Sequence, residues 1–320
     1  MSGSNGLEVD ITVERRDFDV EVAFNVAPGE HLVLFGPSGA GKTTVVEAVA
    51  GLVRVSRGAV WLGNRLLTSY GPPYYSLPLH ERAVGLLRQE PGLFPHLSIG
   101  ENIGFAKHLG ADDPPVVEVA RLLGIDGLLH SSPGFLSGGQ RQRVALARLM
   151  LSQHEVMLLD EPYTGLEGQL SRELTDLARM LASSVPAVMV THDLETAQHF
   201  ADRIGVMDAG RLLEVADARN VVMKPSSRRV AELVGYRSFV ATEAGVVAVH
   251  PERIRIGSYP DEGPVLAGQV SRCRPAGTAF EIELGVESSG GVVPVVVRSV
   301  VSASPGEALA VTAVEAPVFR

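Results

Sequence analysis

The chain has 320 residues, 45% of them apolar, and a formal net charge of −9, so it can build two hydrophobic cores but lacks the basic footprint of a nucleic-acid binder. A single cysteine, Cys273, excludes disulfide scaffolds and cysteine-rich metal sites, and the nine histidines show no zinc-type spacing. No apolar run reaches the length of a membrane-spanning helix, and residues 1–6 lack the basic and apolar segments of a signal peptide, which predicts a cytoplasmic protein.

In chain order, the first informative element is His31-Leu32-Val33-Leu34-Phe35, a short apolar run of strand type. It runs into Gly36-Pro37-Ser38-Gly39-Ala40-Gly41-Lys42-Thr43, which fits the phosphate-loop pattern G-x-x-x-x-G-K-[ST]. From Lys42 the pattern turns helical, with Val45, Val46 and Val49 on one side and Gly51 as the stop. Strand, loop and helix together suit a polyphosphate. Glycines let the backbone approach closely and aim N–H groups inward at a helix N-terminus, which favours negative charge. Lys42 is placed to reach the β- and γ-phosphates and the Thr43 hydroxyl to ligate Mg²⁺, with Thr44 in the same nucleotide-binding set.

Tyr70 to Pro78, with adjacent prolines and three tyrosines, reads as a surface loop. A helical segment is expected from about residue 93 to 150, entered past Gln89. Within it, Leu136-Ser137-Gly138-Gly139-Gln140 opens a helix whose Val144, Ala147 and Leu151 recur at helical spacing. Bare glycine amides and a serine hydroxyl at that N-terminus make a second anion site, or simply an ordinary N-cap. Val156 to Leu159 reads as a buried parallel strand ending in Asp160 and Glu161, where open α/β sheets bind ligands. Asp160 is the expected Mg²⁺ partner, and Glu161 is placed to orient or deprotonate an attacking water. Ala187 to Thr191 forms a third strand that delivers His192 to the same edge as a γ-phosphate contact. Residues 221–235 look like a closing helix and linker. Beyond them Phe280, Ile282, Leu284 and Val286 alternate with polar residues, and Val292 to Arg298 and Leu309 to Val314 are further strands, which suggests a small barrel.

These motifs, taken in order, resemble the ATP-binding subunit of an ABC transporter of the importer type over residues 1–236. The phosphate loop 36–43, Gln89 as the glutamine loop, 136–140 as the signature, the acidic strand end at Asp160 and Glu161, and His192 as the switch histidine all match. Phe94-Pro95-His96-Leu97-Ser98 and the run Gln140 to Arg148 are importer-like. The resemblance implies an α/β P-loop NTPase core with a helical subdomain, spanning 1–236. Residues 237–320, entered at Val249 to Arg255, resemble a small β-barrel of OB or TOBE type. It implies ATP with Mg²⁺ as cofactor and Gln89 as a nucleotide and metal contact. Ser137, Gly138, Gly139 and Gln140 would face ATP across a head-to-tail homodimer. Integral membrane permease subunits are the implied partners, a solute-binding protein acts indirectly, and the chain would sit on the inner face of the membrane. Phe94 and Phe105 are candidate docking positions for the permease or, equally, core residues.

Three positions depart from the family pattern. Where an adenine-stacking aromatic is usual, the chain has Arg15 and Arg16, with Phe18 slightly late; Glu167 stands in place of aspartate; and Arg88 replaces an apolar residue before Gln89. The phrases around Leu7 to Val13, Phe18 to Phe24 and Leu77 to Arg82 resemble molybdate-importer subunits, which makes molybdate or tungstate the expected cargo, with sulfate, iron, polyamine or sugar as alternatives. A soluble ABC ATPase would carry paired cassettes, coiled-coil insertions or zinc cysteines, and a kinase or GTPase would lack Leu-Ser-Gly-Gly-Gln.

Overall fold

The computed structural model describes residues 6–71, 73–164, 166 and 168–319; Glu167 lies outside them, as do Pro72 of the tyrosine-rich loop and residues 1–5. The chain divides into two compact units, residues 1–218 and 219–320.

In the first unit, β1 (Leu7–Val13) and β2 (Val20–Val26) alternate buried and exposed residues and pair antiparallel, Leu7 opposite Val26. This is the period-two pattern of strands with one face on the core. β3 (His31–Phe35) is buried throughout. It leads through the phosphate loop into α1 (Lys42–Ala50), which ends at Gly51 with φ +84°. An antiparallel edge follows: β4 (Arg57–Leu62), β5 (Arg65–Ser69) and the two-residue β6 (Tyr75–Ser76). β7 (Val84–Leu87) then returns to the parallel part of the sheet. The helical region holds α2 (Ile99–Gly104), α3 (Pro114–Leu122) and α4 (Gly138–Leu151). Next come β8 (Val156–Asp160), α5 (Gly168–Leu181), β9 (Ala187–Thr191), α6 (Leu194–Phe200), β10 (Arg203–Asp208) and β11 (Arg211–Asp217).

All eleven strands join one sheet in the order β6-β5-β4-β1-β2-β11-β10-β3-β9-β8-β7. Its last five strands, β10 to β7, run parallel, so the loops after β3, β7, β8 and β9 leave from the same edge. Strands buried on both faces read as continuous apolar runs, which is why β3, β8 and β9 stand out in the sequence.

Three expected elements differ. The helical segment begins at Ile99, because the buried Asn102 side chain ties Phe94 N, Phe94 O, Leu97 O and Ser98 O into a turn that no helix could satisfy. Residues 70–78 carry the short strand β6 rather than loop alone, although Tyr70, Tyr74 and Tyr75 are exposed as expected. Residues 221–235 form two helices, α7 (Ala218–Met223) and α8 (Arg228–Leu233), because Pro225 ends the first and Ser227 caps the second through Val230 N. Both belong mainly to the second unit, where the buried Tyr236 donates its hydroxyl proton to Val222 O at 3.0 Å.

The second unit is two antiparallel sheets around its own core of Val240, Val247, Ile282, Leu284, Val295, Val297 and Val311. One sheet joins β12 (Ser238–Thr242), β13 (Gly245–Val249) and β19 (Val318–Phe319). The other has the order β14 (Ile254–Ile256), β18 (Ala308–Ala313), β15 (Val265–Ala276), β16 (Ala279–Ser288) and β17 (Gly291–Ser299). Among the described residues no helix is long and apolar enough to cross a membrane.

Arg82 is the least expected core residue, with none of its surface exposed. Its guanidinium donates to Leu77 O at 2.9 Å, Val49 O at 3.0 Å, and the hydroxyls of Thr68 and Ser76 at 2.8 Å each. It thereby fastens the end of α1 to the β5–β6 edge. A Cβ at Gly51 would lie 2.4 Å from its Cζ, so glycine is required there for space as well as for φ. Arg82→Ala leaves a cavity and four acceptors without their donor. It should cost roughly 3–5 kcal/mol of stability, read from urea unfolding of the full chain; a loss below about 1 kcal/mol would show that the fork is not structural.

Candidate functional site

The site is built where β3, β8 and β9 end. α1 starts at Gly41, which offers no side-chain cap, so the first-turn N–H groups open into the loop rather than onto a side-chain acceptor. Gly39 has φ +81° and nothing within 4 Å of where a Cβ would sit, which leaves a concave backbone of the kind that cradles anions. The Lys42 side chain folds back over this cradle, its ammonium donating to Gly36 O at 2.8 Å and Pro37 O at 2.9 Å. Burial pulls its pKa below the ordinary lysine value, against the raising effect of the Glu161 and Asp160 carboxylates. Ala40 is buried, and its carbonyl accepts from Gly210 N at 3.0 Å, which anchors the loop to the β10–β11 turn.

Thr43 donates its hydroxyl proton to Asp160 Oδ1 at 2.9 Å. Asp160 is buried, and desolvation raises its pKa, tempered by that hydrogen bond. The adjacent Glu161 has φ +42°, in the left-handed region that non-glycine residues rarely occupy. This turn swings its carboxylate out of the strand line. Glu161 Oε2 lies 3.2 Å from His192 Nδ1 and accepts from the Thr164 hydroxyl at 3.1 Å. Asp193, beside His192, caps α6 by accepting from Thr196 N at 2.7 Å.

A cavity of about 640 Å³ opens over the loop, lined by Arg15, Phe18, Ser38, Gly39, Lys42, Thr43, Thr44, Gln89 and Glu161, within the usual size range of ligand pockets. Among the described residues Phe18 is the one aromatic that lines it, consistent with the absence of an early aromatic from the sequence. Arg15 instead donates to the Thr44 hydroxyl, Nη2 at 2.9 Å and Nε at 3.2 Å. Thr44 therefore lines the cavity with its oxygen already engaged. Arg88 is exposed and pairs with Glu47 at 3.4 Å, on the helix that also meets Arg15. A second cavity of about 530 Å³ shares Glu161 with the first and continues along His192, Thr191, Ser171 and Arg172.

Ser137 to Gln140 do not line the first cavity, and neither does His192, which meets Glu161 from the second. Ser137 caps α4, its Oγ accepting from Gln140 N at 3.3 Å while Gln140 Oε1 accepts from Ser137 N at 2.9 Å. Capping uses an oxygen lone pair and leaves the hydroxyl proton to donate. Phe94 and Phe105 lie with ring centres 4.2 Å apart at a tilt of 35°, Phe105 exposed and Phe94 half-buried.

Sequence reasoning missed Gln142, whose Nε2 donates to Gln89 O at 2.9 Å. The available signal was a glutamine on the same buried helix face as Ala145 and Leu149. It also missed the turn at Glu161, for which no residue type gives notice.

The donor set fits nucleotide and metal. A desolvated ammonium sits beside an uncapped helix end, and a buried carboxylate beside a threonine hydroxyl supplies the hard oxygen ligands that Mg²⁺ takes.

Comparison with known proteins agrees. The family model described as ABC transporter matches residues 20–164. A molybdate/tungstate import ATP-binding protein of Pyrococcus horikoshii is 37% identical over 238 residues, covering 72% of this chain and 67% of the relative. One of the same description from Thermococcus kodakarensis is 34% identical over 309 residues, 89% of this chain and 90% of the relative. An Fe(3+) ions import ATP-binding protein of Mesorhizobium japonicum is 38% identical over 221 residues, 67% of this chain and 60% of the relative. The chain belongs to the ABC transporter family as an import-type ATP-binding subunit, which hydrolyses ATP in a reaction coupled to transport.

Proposed function

We propose that this chain powers a molybdate or tungstate importer, working as a head-to-tail homodimer that holds two ATP molecules. The observation that carries the mechanism is the convergence of Lys42, the Thr43–Asp160 pair and the Glu161–His192 pair at one sheet edge. Lys42 exchanges its two loop carbonyls for the β- and γ-phosphates, while the amides of residues 39–44 hold the polyphosphate. Thr43, Gln89 and Asp160 would hold Mg²⁺, which when bound would neutralise phosphate charge. Glu161 orients the attacking water and takes its proton, and His192 holds the Glu161 carboxylate in place and contacts the γ-phosphate. Ser137, Gly138, Gly139 and Gln140 of one protomer close the site of the other, so ATP bridges two positive helix ends and its hydrolysis loosens the pair. Permease subunits in the membrane and, through them, a solute-binding protein complete the importer. The chain itself stays on the cytoplasmic face, and the second unit is an accessory barrel of OB or TOBE type.

The cargo rests on where similarity extends. The molybdate/tungstate relative of Thermococcus kodakarensis is matched over 90% of its length, into the second unit, whereas the iron relative is matched over 60%. Iron, sulfate, polyamine or sugar is the alternative cargo.

Glu161→Gln should keep Mg-ATP binding, lose about 10²–10⁴-fold in turnover, and accumulate as an ATP-bound dimer in gel filtration. Near-normal hydrolysis would remove Glu161 from the reaction. Mixing Lys42→Ala with Gly139→Asp protomers should restore one working composite site in two. If exchange between these inactive proteins never restores nucleotide occupancy, the head-to-tail arrangement is wrong. Deleting the gene should abolish high-affinity molybdate uptake, with molybdenum-enzyme activity rescued by excess molybdate; a defect confined to iron, sulfate, polyamine or sugar would reassign the cargo.

A further inference from the structure

Two buried polar side chains and a half-buried arginine hold the loop between β7 and α2. Asn102 satisfies Phe94, Leu97 and Ser98 from α2. The other two come from α4: Gln142 donates to Gln89 O at 2.9 Å, and Arg148 donates to Gly92 O at 2.9 Å. Gln142 is the odd one. It is buried, and its Oε1 has no hydrogen-bond partner among the described residues. The amide cannot be turned to cure this, because a backbone carbonyl only accepts and so fixes Nε2 toward Gln89. An apolar side chain of the same length would fill the space without an orphan acceptor. What the glutamine adds is the bond to the loop.

That bond joins two parts of the chain that face different places. Gln89 lines the cavity over the phosphate loop, whereas α4 begins at Ser137, outside it. We propose that Gln142 is a positioning residue: it fixes the backbone of Gln89 to the first turns of α4, so the glutamine loop and the signature shift together. The proposal rests on the assignment of Gln89 to the nucleotide site. Arg148, two turns along, holds Gly92 in the same body, and its guanidinium lies 5.8 Å from the centre of the Phe94 ring. A change at Gln89 therefore reaches Ser137 through one side chain and five residues of rigid helix, rather than through the intervening chain of helices and turns.

The test uses the full chain and Gln142→Met, which keeps the length and removes the donor. Without nucleotide, amide exchange over residues 89–94 should quicken about tenfold, the equivalent of one lost hydrogen bond, while exchange in residues 36–44 stays unchanged. In steady-state hydrolysis, KM for ATP should stay within about twofold and kcat fall about tenfold, the pattern of a group needed only as the reaction proceeds. Arg148→Met, which frees Gly92 but leaves the Gln89 bond, should lower kcat less than Gln142→Met does. Unchanged exchange in residues 89–94 with unchanged kcat would overturn the proposal. So would equal quickening across both segments, which marks general loosening. Gln89→Ala separates the two readings: unaltered hydrolysis in that variant would overturn the placement of Gln89 in the site, whatever Gln142 does.

Discussion

A buried ammonium at the mouth of a parallel sheet is the constraint on which the rest of the site depends. Lys42 cannot reach solvent freely, so it must find acceptors, and the loop turns two carbonyls inward to meet it. That folding-back gives the loop its concave shape, and the same shape points the uncapped amides of α1 at the space above. The second buried charge, Asp160, lies on the next strand but one and is joined through Thr43. Two opposite charges are thus each engaged by a partner other than the other, each partly desolvated and each suited to an ion of opposite sign. A nucleotide with its metal would satisfy both at once.

The parallel strand order does the positioning. Because β3, β8 and β9 are neighbours running the same way, three loops far apart in sequence leave the sheet within reach of one another. Side chains on rigid strand ends need little further support. The glutamine loop, which has no regular structure, is held differently, by Asn102, Gln142 and Arg148 reaching its carbonyls from the helices. The two halves of the site are therefore built on different principles, one by strand geometry and one by side-chain clamps.

This difference explains what could be read from the sequence. β3, β8 and β9 were visible as apolar runs, and the residues just beyond them, Lys42, Asp160, Glu161 and His192, followed from motif and position. Ser137 was readable both as anion contact and as cap, and the cap is what the chain displays. Arg82 and Gln142 were not readable, because a buried polar side chain declares itself only through partners distant in sequence, such as Val49 for Arg82 and Gln89 for Gln142. The late start of the helical region at Ile99 has a local cause instead, a single asparagine, Asn102, that holds the preceding turn. The break near Pro225 was available and outweighed by the apolar residues on either side.

The left-handed backbone at Glu161 has a consequence for how such a protein changes under selection. A non-glycine residue there carries local strain of order 1–3 kcal/mol, which glycine would relieve and asparagine would reduce. Every route from glutamate to those residues removes the carboxylate facing His192. A population screened only for heat resistance or expression should therefore drift toward a better-folded protein that has lost the carboxylate facing His192. The glutamate is kept against the preference of the backbone, and only a selection that needs its carboxylate holds it there.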